Sequence, residues 1–237
     1  MIELSLRERI CEANAALVRA GLVTLSFGNA SGVDREAGAF AIKPSGVPCD
    51  AVQPEDLVVV SLADGSVLEG RLRPSSDTPT HLRIYQAFPG VGGVVHTHSS
   101  YAAAFAQAGR DIPCLGTTHA DHFRGPVPVS RSMTVTEIEG EYEAETGDVI
   151  VETIGQRTPD ALAMPAVLVR WHGPFTWGRD ATAASVNAIA LEAVAAMAAR
   201  TLALAPDAAE APDALLRRHF DRKHGPGAYY GQPGDVH

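Results

Sequence analysis

Apolar positions along this chain change spacing from segment to segment, and each spacing predicts an element. Leu6, Ile10, Ala13 and Leu17 fall three or four apart, the rhythm of one helix face, and Gly21 supplies a stop, so a first helix is expected over about residues 4–20. Ala39 to Lys43 and Asp56 to Leu62 read as strands, and Ala63-Asp64-Gly65-Ser66 is a hairpin signal leading into Val67 to Glu69. Pro79 stands where a first helical turn tolerates a missing N–H, which predicts a helix from Thr78 to Phe88 with Asp77 near its N-cap. Val91-Gly92-Gly93-Val94-Val95 reads as a buried strand ending at His98, followed by a helix from about Tyr101 to Ala108.

Further on, Thr134-Val135-Thr136-Glu137 fits a capping box that opens a helix running to about Thr146. Ala166 to Trp171 is strand-like and ends on His172, and a short strand is expected near Phe175 to Gly178. A long helix from about Ala181 and a last one over about Ala214 to Arg222 complete the reading, with Pro206 to Pro212 as a loop between them. Strands and helices mix without strict alternation, which argues for one mixed sheet covered by helices rather than a doubly wound parallel sheet.

Composition narrows the class. With 46% apolar residues in 237, the chain can build a real core. Its alanine-rich stretch from Ala181 to Ala205 is interrupted by Asn187, Glu192 and Arg200, so it reads as a buried or interface helix rather than a membrane span. Met1-Ile2-Glu3-Leu4-Ser5 lacks a basic region followed by an apolar one, so no secretory leader is expected. Cys11, Cys49 and Cys114 are odd in number and far apart, which argues for a reducing, cytoplasmic setting and against a cysteine-based zinc site. A net charge of −9 argues against nonspecific nucleic-acid binding while leaving room for a local pocket that takes an anion.

The chemistry concentrates at His96-Thr97-His98. Side chains on a strand alternate faces, so the two histidines point the same way, about 6 to 7 Å apart along that face, and can grip one metal ion. With His172 they would make three ligands at strand ends, which suits a catalytic site that keeps a position open for substrate. Any one of them alone is as readily a hydrogen-bonded histidine at a sheet edge; the paired motif after an apolar run is the stronger signal.

Ser75-Ser76-Asp77 precedes the Thr78-Pro79 helix start, where free N–H groups and the helix dipole favour an anion, although such residues are most often plain caps. Gly28-Asn29 and Lys43-Pro44-Ser45-Gly46 are small polar turns that let backbone approach a ligand. Asp77 could instead complete a mixed nitrogen and oxygen metal shell. Gly116-Thr117-Thr118-His119-Ala120-Asp121-His122 is dense in proton carriers, among which Asp121 is a candidate acid or base, with no role evident for His119 or His122. Gly90-Val91-Gly92-Gly93 fails the dinucleotide fingerprint, since Val95 takes the third glycine position and a strand follows, so no nicotinamide is expected.

These pieces in this order resemble the class II aldolase/adducin superfamily. Val23 to Asn29, Ile42 to Val47, Pro74 to His81, Val95 to Ser99, Gly116 to Asp121, His172 to Phe175 and the tail from Lys223 through Tyr229-Tyr230-Gly231-Gln232 are most similar to its L-ribulose-5-phosphate 4-epimerase branch. The likeness implies an α/β fold over residues 1–237: a single domain with a central, mostly antiparallel mixed sheet, helices on both faces, and a C-terminal helix and tail (about 213–237) reaching the active site or a neighbouring subunit. It implies a divalent metal, zinc foremost with manganese or cobalt as alternatives, held by Asp77, His96, His98 and His172. It implies phosphate contacts from Gly28, Asn29, Ser45, Gly46, Ser75 and Ser76. Asp121 and Tyr230 become the proton-transfer pair, with Lys43, Thr117, Glu143 and His219 in support. A homotetramer with active sites between subunits is expected, acting on a ketopentose phosphate, with no nucleic-acid or membrane partner. Two departures stand out: the bulky Arg170-Trp171 before His172, and the extension Pro233 to His237 beyond Gln232.

The constellation suits inversion at carbon 4 of such a sugar. That hydrogen is not adjacent to the carbonyl, so the centre must be either oxidised and reduced again or opened by breaking the C3–C4 bond. Without a nicotinamide motif, retro-aldol cleavage and re-addition is the better expectation, and a Lewis acid is what it needs. The rivals are a class II sugar-phosphate aldolase of the L-fuculose-phosphate type, a methylthioribulose-phosphate dehydratase, and a non-catalytic adducin-like binding module.

Overall fold

The computed structural model describes residues 2–230; Met1 and residues 231–237, which hold the Gly231-Gln232 end of the tail motif and its extension, lie outside the described residues. The elements in chain order are α1 (Leu4–Arg19), β1 (Gly28–Asp34), β2 (Ala39–Ile42), β3 (Val58–Ser61), β4 (Val67–Glu69), α2 (Thr78–Ala87), β5 (Gly93–Thr97) and α3 (Ser100–Ala108). There follow α4 (Thr117–Ala120), α5 (Val135–Glu139), α6 (Tyr142–Arg157), β6 (Ala166–Val169), β7 (Gly173–Gly178), α7 (Ala181–Leu204) and α8 (Asp213–His224). The strands form one seven-stranded sheet in the order β4-β3-β2-β1-β5-β7-β6, with every neighbouring pair antiparallel. Among the described residues, parallel pairing is confined to the isolated bridge between Val129 and Leu168.

Strand alternation divides the core in two. Phe40, Ile42, Val58, Val60 and Val94 point to one face with Tyr85, Phe175 and Trp177, in a cluster that takes in α2, α3 and α6. Ala39, Ala41, Val59 and Val95 point to the other, beneath Leu6, Ile10 and Leu17 of α1 and Ala181, Ala184 and Ala188 of α7. Small residues on that face let the two helices lie close to the sheet. Each fully buried large aliphatic or aromatic chain contributes about 1.5–3 kcal/mol, so both faces are held by burial.

Helix α7 is long and apolar enough to cross a membrane by length and composition. Here it packs along β5, β7, α1 and α3. Its three polar interruptions all have partners. Asn187 Nδ2 donates to Trp177 O at 2.8 Å, the Glu192 carboxylate accepts the Tyr101 and Ala102 N–H groups, and Arg200 lies over the Tyr101 ring. The glycine run before β5 exists for this helix: a Cβ on Gly93 would stand 2.3 Å from Ala181 N, and one on Gly92 would stand 1.9 Å from Arg179 O.

Four elements differ from expectation, one of them α4, a short helix over a stretch where no element is expected. Strand β1, Gly-Asn-Ala-Ser-Gly-Val-Asp, carries almost no strand-forming residues. It is a strand because β2 and β5 pair with it on both sides and buried Asn14 of α1 accepts the Ala30 N–H at 2.9 Å. The Thr134–Glu137 capping box is present, but its helix ends at Glu139, and a separate helix, α6, carries the segment on to Arg157. His172 does not end a strand: β6 stops at Val169, and His172 closes a turn in which its N–H donates to Val169 O at 3.0 Å and Trp171 takes φ 63°. Trp171 faces solvent there, with the Arg170 guanidinium stacked over its ring.

Candidate metal centre

Antiparallel pairing is what gathers the site. The start of β1 lies beside the end of β5 (Gly28 opposite Thr97, Asn29 opposite His96), and the end of β2 lies on its other side. The start of β7 borders the end of β5 in turn, with Phe175 opposite His96. Four strand termini and the N-terminus of α2 therefore meet at one rim, around a cavity of about 270 Å³. Gly28 makes the approach feasible: at φ 126°, a Cβ there would stand 2.9 Å from His96 O.

His96, His98 and His172 each present a ring nitrogen, all within 4.8 Å of one another. His96 Nδ1 donates to Pro174 O at 2.9 Å; since a carbonyl can only accept, the proton sits on Nδ1 and Nε2 is left bare. That Nε2 faces His98 Nε2 at 3.0 Å. Two nitrogens bound tetrahedrally to one zinc at about 2.0–2.1 Å stand about 3.3 Å apart, so the pair is spaced for a shared cation. The His96 ring is clamped against Phe175, centroids 4.2 Å apart and nearly parallel. Burial pushes His96 down to about 3, with His172 and His98 adding to the shift against the pull of Asp77. Burial also lowers His172. Both imidazoles are thus neutral at physiological pH, the form that binds metal. Two buried atoms at this cavity, His172 Nδ1 and Asn29 Oδ1, have no hydrogen-bond partner, as a site built for a bound group would leave them.

Asp77 lines the same cavity at the N-cap position of α2 but makes no side-chain cap bond. Its carboxylate accepts Asn29 Nδ2 at 2.6 Å and stands outside the three-nitrogen group. Burial alone would raise the Asp77 carboxyl; nearby His96 and His81, the Asn29 hydrogen bond and His172 hold it below the usual carboxylate range. Asn29 Nδ2 also reaches Ser75 Oγ at 3.0 Å, which ties β1 to the turn before α2.

Another wall of the cavity is made of Ser45, Gly46, Ser75 and Ser76, with Lys43 beside them. Lys43 is buried, donating to Pro44 O at 3.0 Å and Val47 O at 2.7 Å, and burial lowers its ammonium from the ordinary lysine range. One buried cation, hydroxyls and a helix N-terminus together favour a phosphate. Ser26 and Phe27 also line the cavity; both lie in the Val23 to Asn29 motif, yet the sequence marks neither as a site residue.

The remaining candidates lie elsewhere in the chain. Asp121, Tyr230, Thr117, Glu143 and His219 do not line this cavity. Asp121 follows α4 and is gripped by α8, through His219 Nδ1 at 3.1 Å and Arg222 at 3.1 and 2.6 Å. Tyr230 lies against Arg222 and Lys223. Thr117 opens α4, and the Glu143 backbone carbonyl accepts Thr80 Oγ1 at 2.6 Å. Buried His119 donates through Nε2 to Gly125 O at 2.9 Å and so closes the loop that carries Asp121.

Over residues 8–199 the chain matches the class II aldolase and adducin N-terminal domain. It is 52% identical over 227 residues to the L-ribulose-5-phosphate 4-epimerase UlaF of Salmonella paratyphi A, covering 96% of this chain and 98% of the relative, and equally to that of Salmonella typhi. Among solved structures, an L-fuculose 1-phosphate aldolase superposes with TM-score 0.74 at 24% identity, over 94% of this chain and 97% of the other. YgbL from Klebsiella pneumoniae superposes with TM-score 0.70 at 25% identity, over 92% and 99%.

Proposed function

This chain belongs to the class II aldolase and adducin family, and from that footing we propose that it is a metal-dependent epimerase interconverting L-ribulose 5-phosphate and D-xylulose 5-phosphate. The observation that carries the reading is the meeting of three imidazoles with Ser45, Ser75, Ser76 and Lys43 around one small cavity. His96, His98 and His172, with Asp77 beside them, would hold a divalent cation, zinc by preference for this donor set. When bound, such an ion supplies Lewis-acid polarisation of the sugar's oxygens.

The chain's own groups do the rest. Ser45, Gly46, Ser75, Ser76, Asn29 and Lys43 anchor the 5-phosphate. One proton carrier takes the proton from the C4 hydroxyl as the C3–C4 bond breaks, and the bond's electron pair stays with C3, conjugated to the C2 oxygen as an enediolate. Glycolaldehyde phosphate, holding C4 and C5, remains tethered and turns its aldehyde. C3 then adds to the opposite face, and the new C4 oxygen takes a proton from a second carrier on the other side. Asp121 and Tyr230 fill these two roles. Keeping both fragments in place is worth about 7–11 kcal/mol of effective concentration.

Because Asp121 and Tyr230 do not line the cavity of their own chain, we place them in a neighbouring subunit's site, in a cyclic homotetramer. The segment from α8 to Tyr230 is then the part that reaches across. A phosphorylated sugar is an intracellular metabolite, which puts the enzyme in the cytoplasm. The deciding experiment incubates the metal-loaded protein with L-ribulose 5-phosphate. D-xylulose 5-phosphate without free fragments is expected; accumulation of glycolaldehyde phosphate would mean an aldolase instead.

A further inference from the structure

Arg222 joins the two proton carriers within one chain. Its Nε and Nη2 hold Asp121 Oδ1 and Oδ2 at 3.1 and 2.6 Å, a two-pronged grip on both carboxylate oxygens. Its guanidinium carbon lies 4.9 Å from the Tyr230 ring centroid, with Lys223 Nζ 4.6 Å from the same ring. Its backbone carbonyl accepts the Tyr229 and Tyr230 N–H groups at 3.0 and 3.2 Å. One residue of α8 thus touches Asp121 with its fork, Tyr230 with its face and the tail's backbone with its carbonyl. A solvated surface ion pair has no need of three such contacts, and the Asp121 and Arg222 side chains are only 14% and 24% exposed.

From this geometry we propose that Arg222 is the positioning residue of the reaction: it aligns Asp121 and Tyr230 as one unit and keeps the aspartate in its base form. The proposal rests on the epimerase reading and deepens it. Burial by itself would raise the Asp121 carboxyl, and the Arg222 and His219 hydrogen bonds more than reverse this, holding it below the usual carboxylate range. Other charges face it too. Lys223 stands nearby on α8, His224 donates to the Asp121 carbonyl at 2.9 Å, and His122 and Arg124 follow Asp121 in its own loop. Arg179 and Asp180 stand at the start of α7 along the same cleft. Among the described residues, only Arg222 engages both oxygens. A lysine can replace its charge but not its fork.

The test compares the metal-loaded wild type with Arg222→Gln and Arg222→Lys. Arg222→Gln is expected to lose about 100-fold in kcat, the scale of a small misplacement of reacting groups. Its KM and metal content should stay within about twofold, and the acid limb of its kcat–pH profile should move to higher pH. Arg222→Lys should return the acid limb toward wild type while recovering only part of kcat. Unchanged kcat and acid limb in Arg222→Gln, or a raised KM with kcat intact, would overturn the proposal; the second result would make Arg222 a substrate contact. An activity-free measurement runs beside it: the Asp121 carboxyl resonance, titrated in selectively ¹³C-labelled protein, should rise to the ordinary aspartate range in Arg222→Gln and stay low in wild type. A wild type inactive on L-ribulose 5-phosphate would sink the epimerase reading, whereas an Asp121 titration identical in both proteins would sink the role of Arg222.

Discussion

Glu192 offers a quantitative test of how the histidine cluster is held. It sits mid-way along α7, and its two carboxylate oxygens accept the N–H groups of Tyr101 and Ala102 at 2.8 and 2.9 Å. These are first-turn donors of α3, which begins two residues after His98. Ser99, at the N-cap, makes no side-chain cap bond, so Glu192 does the capping from a distant element. A lost cap costs about 0.5–2 kcal/mol, and a hydrogen bond to a charged group contributes about 1.5–3 kcal/mol. Ala102 is buried and Tyr101 half-buried, so water replaces the carboxylate only in part. Two such bonds set an upper limit of about 3–6 kcal/mol, and Glu192→Ala should destabilise by about 2–4 kcal/mol, between that and a plain lost cap. For a chain of this length that is roughly 5–15 °C in Tm. Glu192→Gln keeps one accepting oxygen and should lose about half as much. The assay is thermal unfolding of metal-stripped protein, so that bound metal does not mask the loss, followed by metal titration of the folded variants. Loosening the start of α3 should weaken metal binding about tenfold, the lower range for residues that orient a ligand. A Glu192→Ala protein that melts within a degree of wild type and binds metal unchanged would refute the argument.

Other outcomes follow from the same geometry. His98→Ala and His96→Ala should lose bound metal and activity together, read by elemental analysis beside turnover; a metal-replete, active variant would show the ligands are wrongly assigned. Asp121→Asn should cut kcat by about 10²–10⁴, the usual worth of a proton carrier, with metal content near normal; loss of metal would recast Asp121 as structural. Burial pushes His119 down to about 4, so it folds neutral, while the unfolded chain protonates it near 6.5. The unfolded state then binds more protons, and this contribution is complete above about pH 6.5 and lost as pH falls toward 4, by about 1.4 kcal/mol per unit. Denaturant titrations of wild type and His119→Gln across that window should show the variant with the shallower acid-side slope; equal slopes would rule His119 out.

Much of the fold is legible in local pattern. The helix α1, the β2 and β3 strands and the strand before His96 follow from residue spacing, because a buried face must repeat with the period of its element. Strand β1 is not legible, since its stability comes from neighbours on both edges and from Asn14 rather than from its own side chains. The break after Glu139 is also hidden, because a capping box announces where a helix starts and says nothing of its length.

At the site, residue types and spacing nominate the histidines, since a metal demands a narrow set of donors; the serine turns read as ordinary caps and turns until the family resemblance implies a phosphate there. Their convergence could not be read along the chain. It depends on antiparallel pairing, which sets strand starts beside strand ends from positions 28 to 172. The same holds for Arg222 and Glu192, which look like ordinary helix-surface charges until tertiary packing carries them to Asp121 and to the first turn of α3. Local order is written in short-range periodicity; the pairing of charges distant in the chain is settled only by how the elements dock.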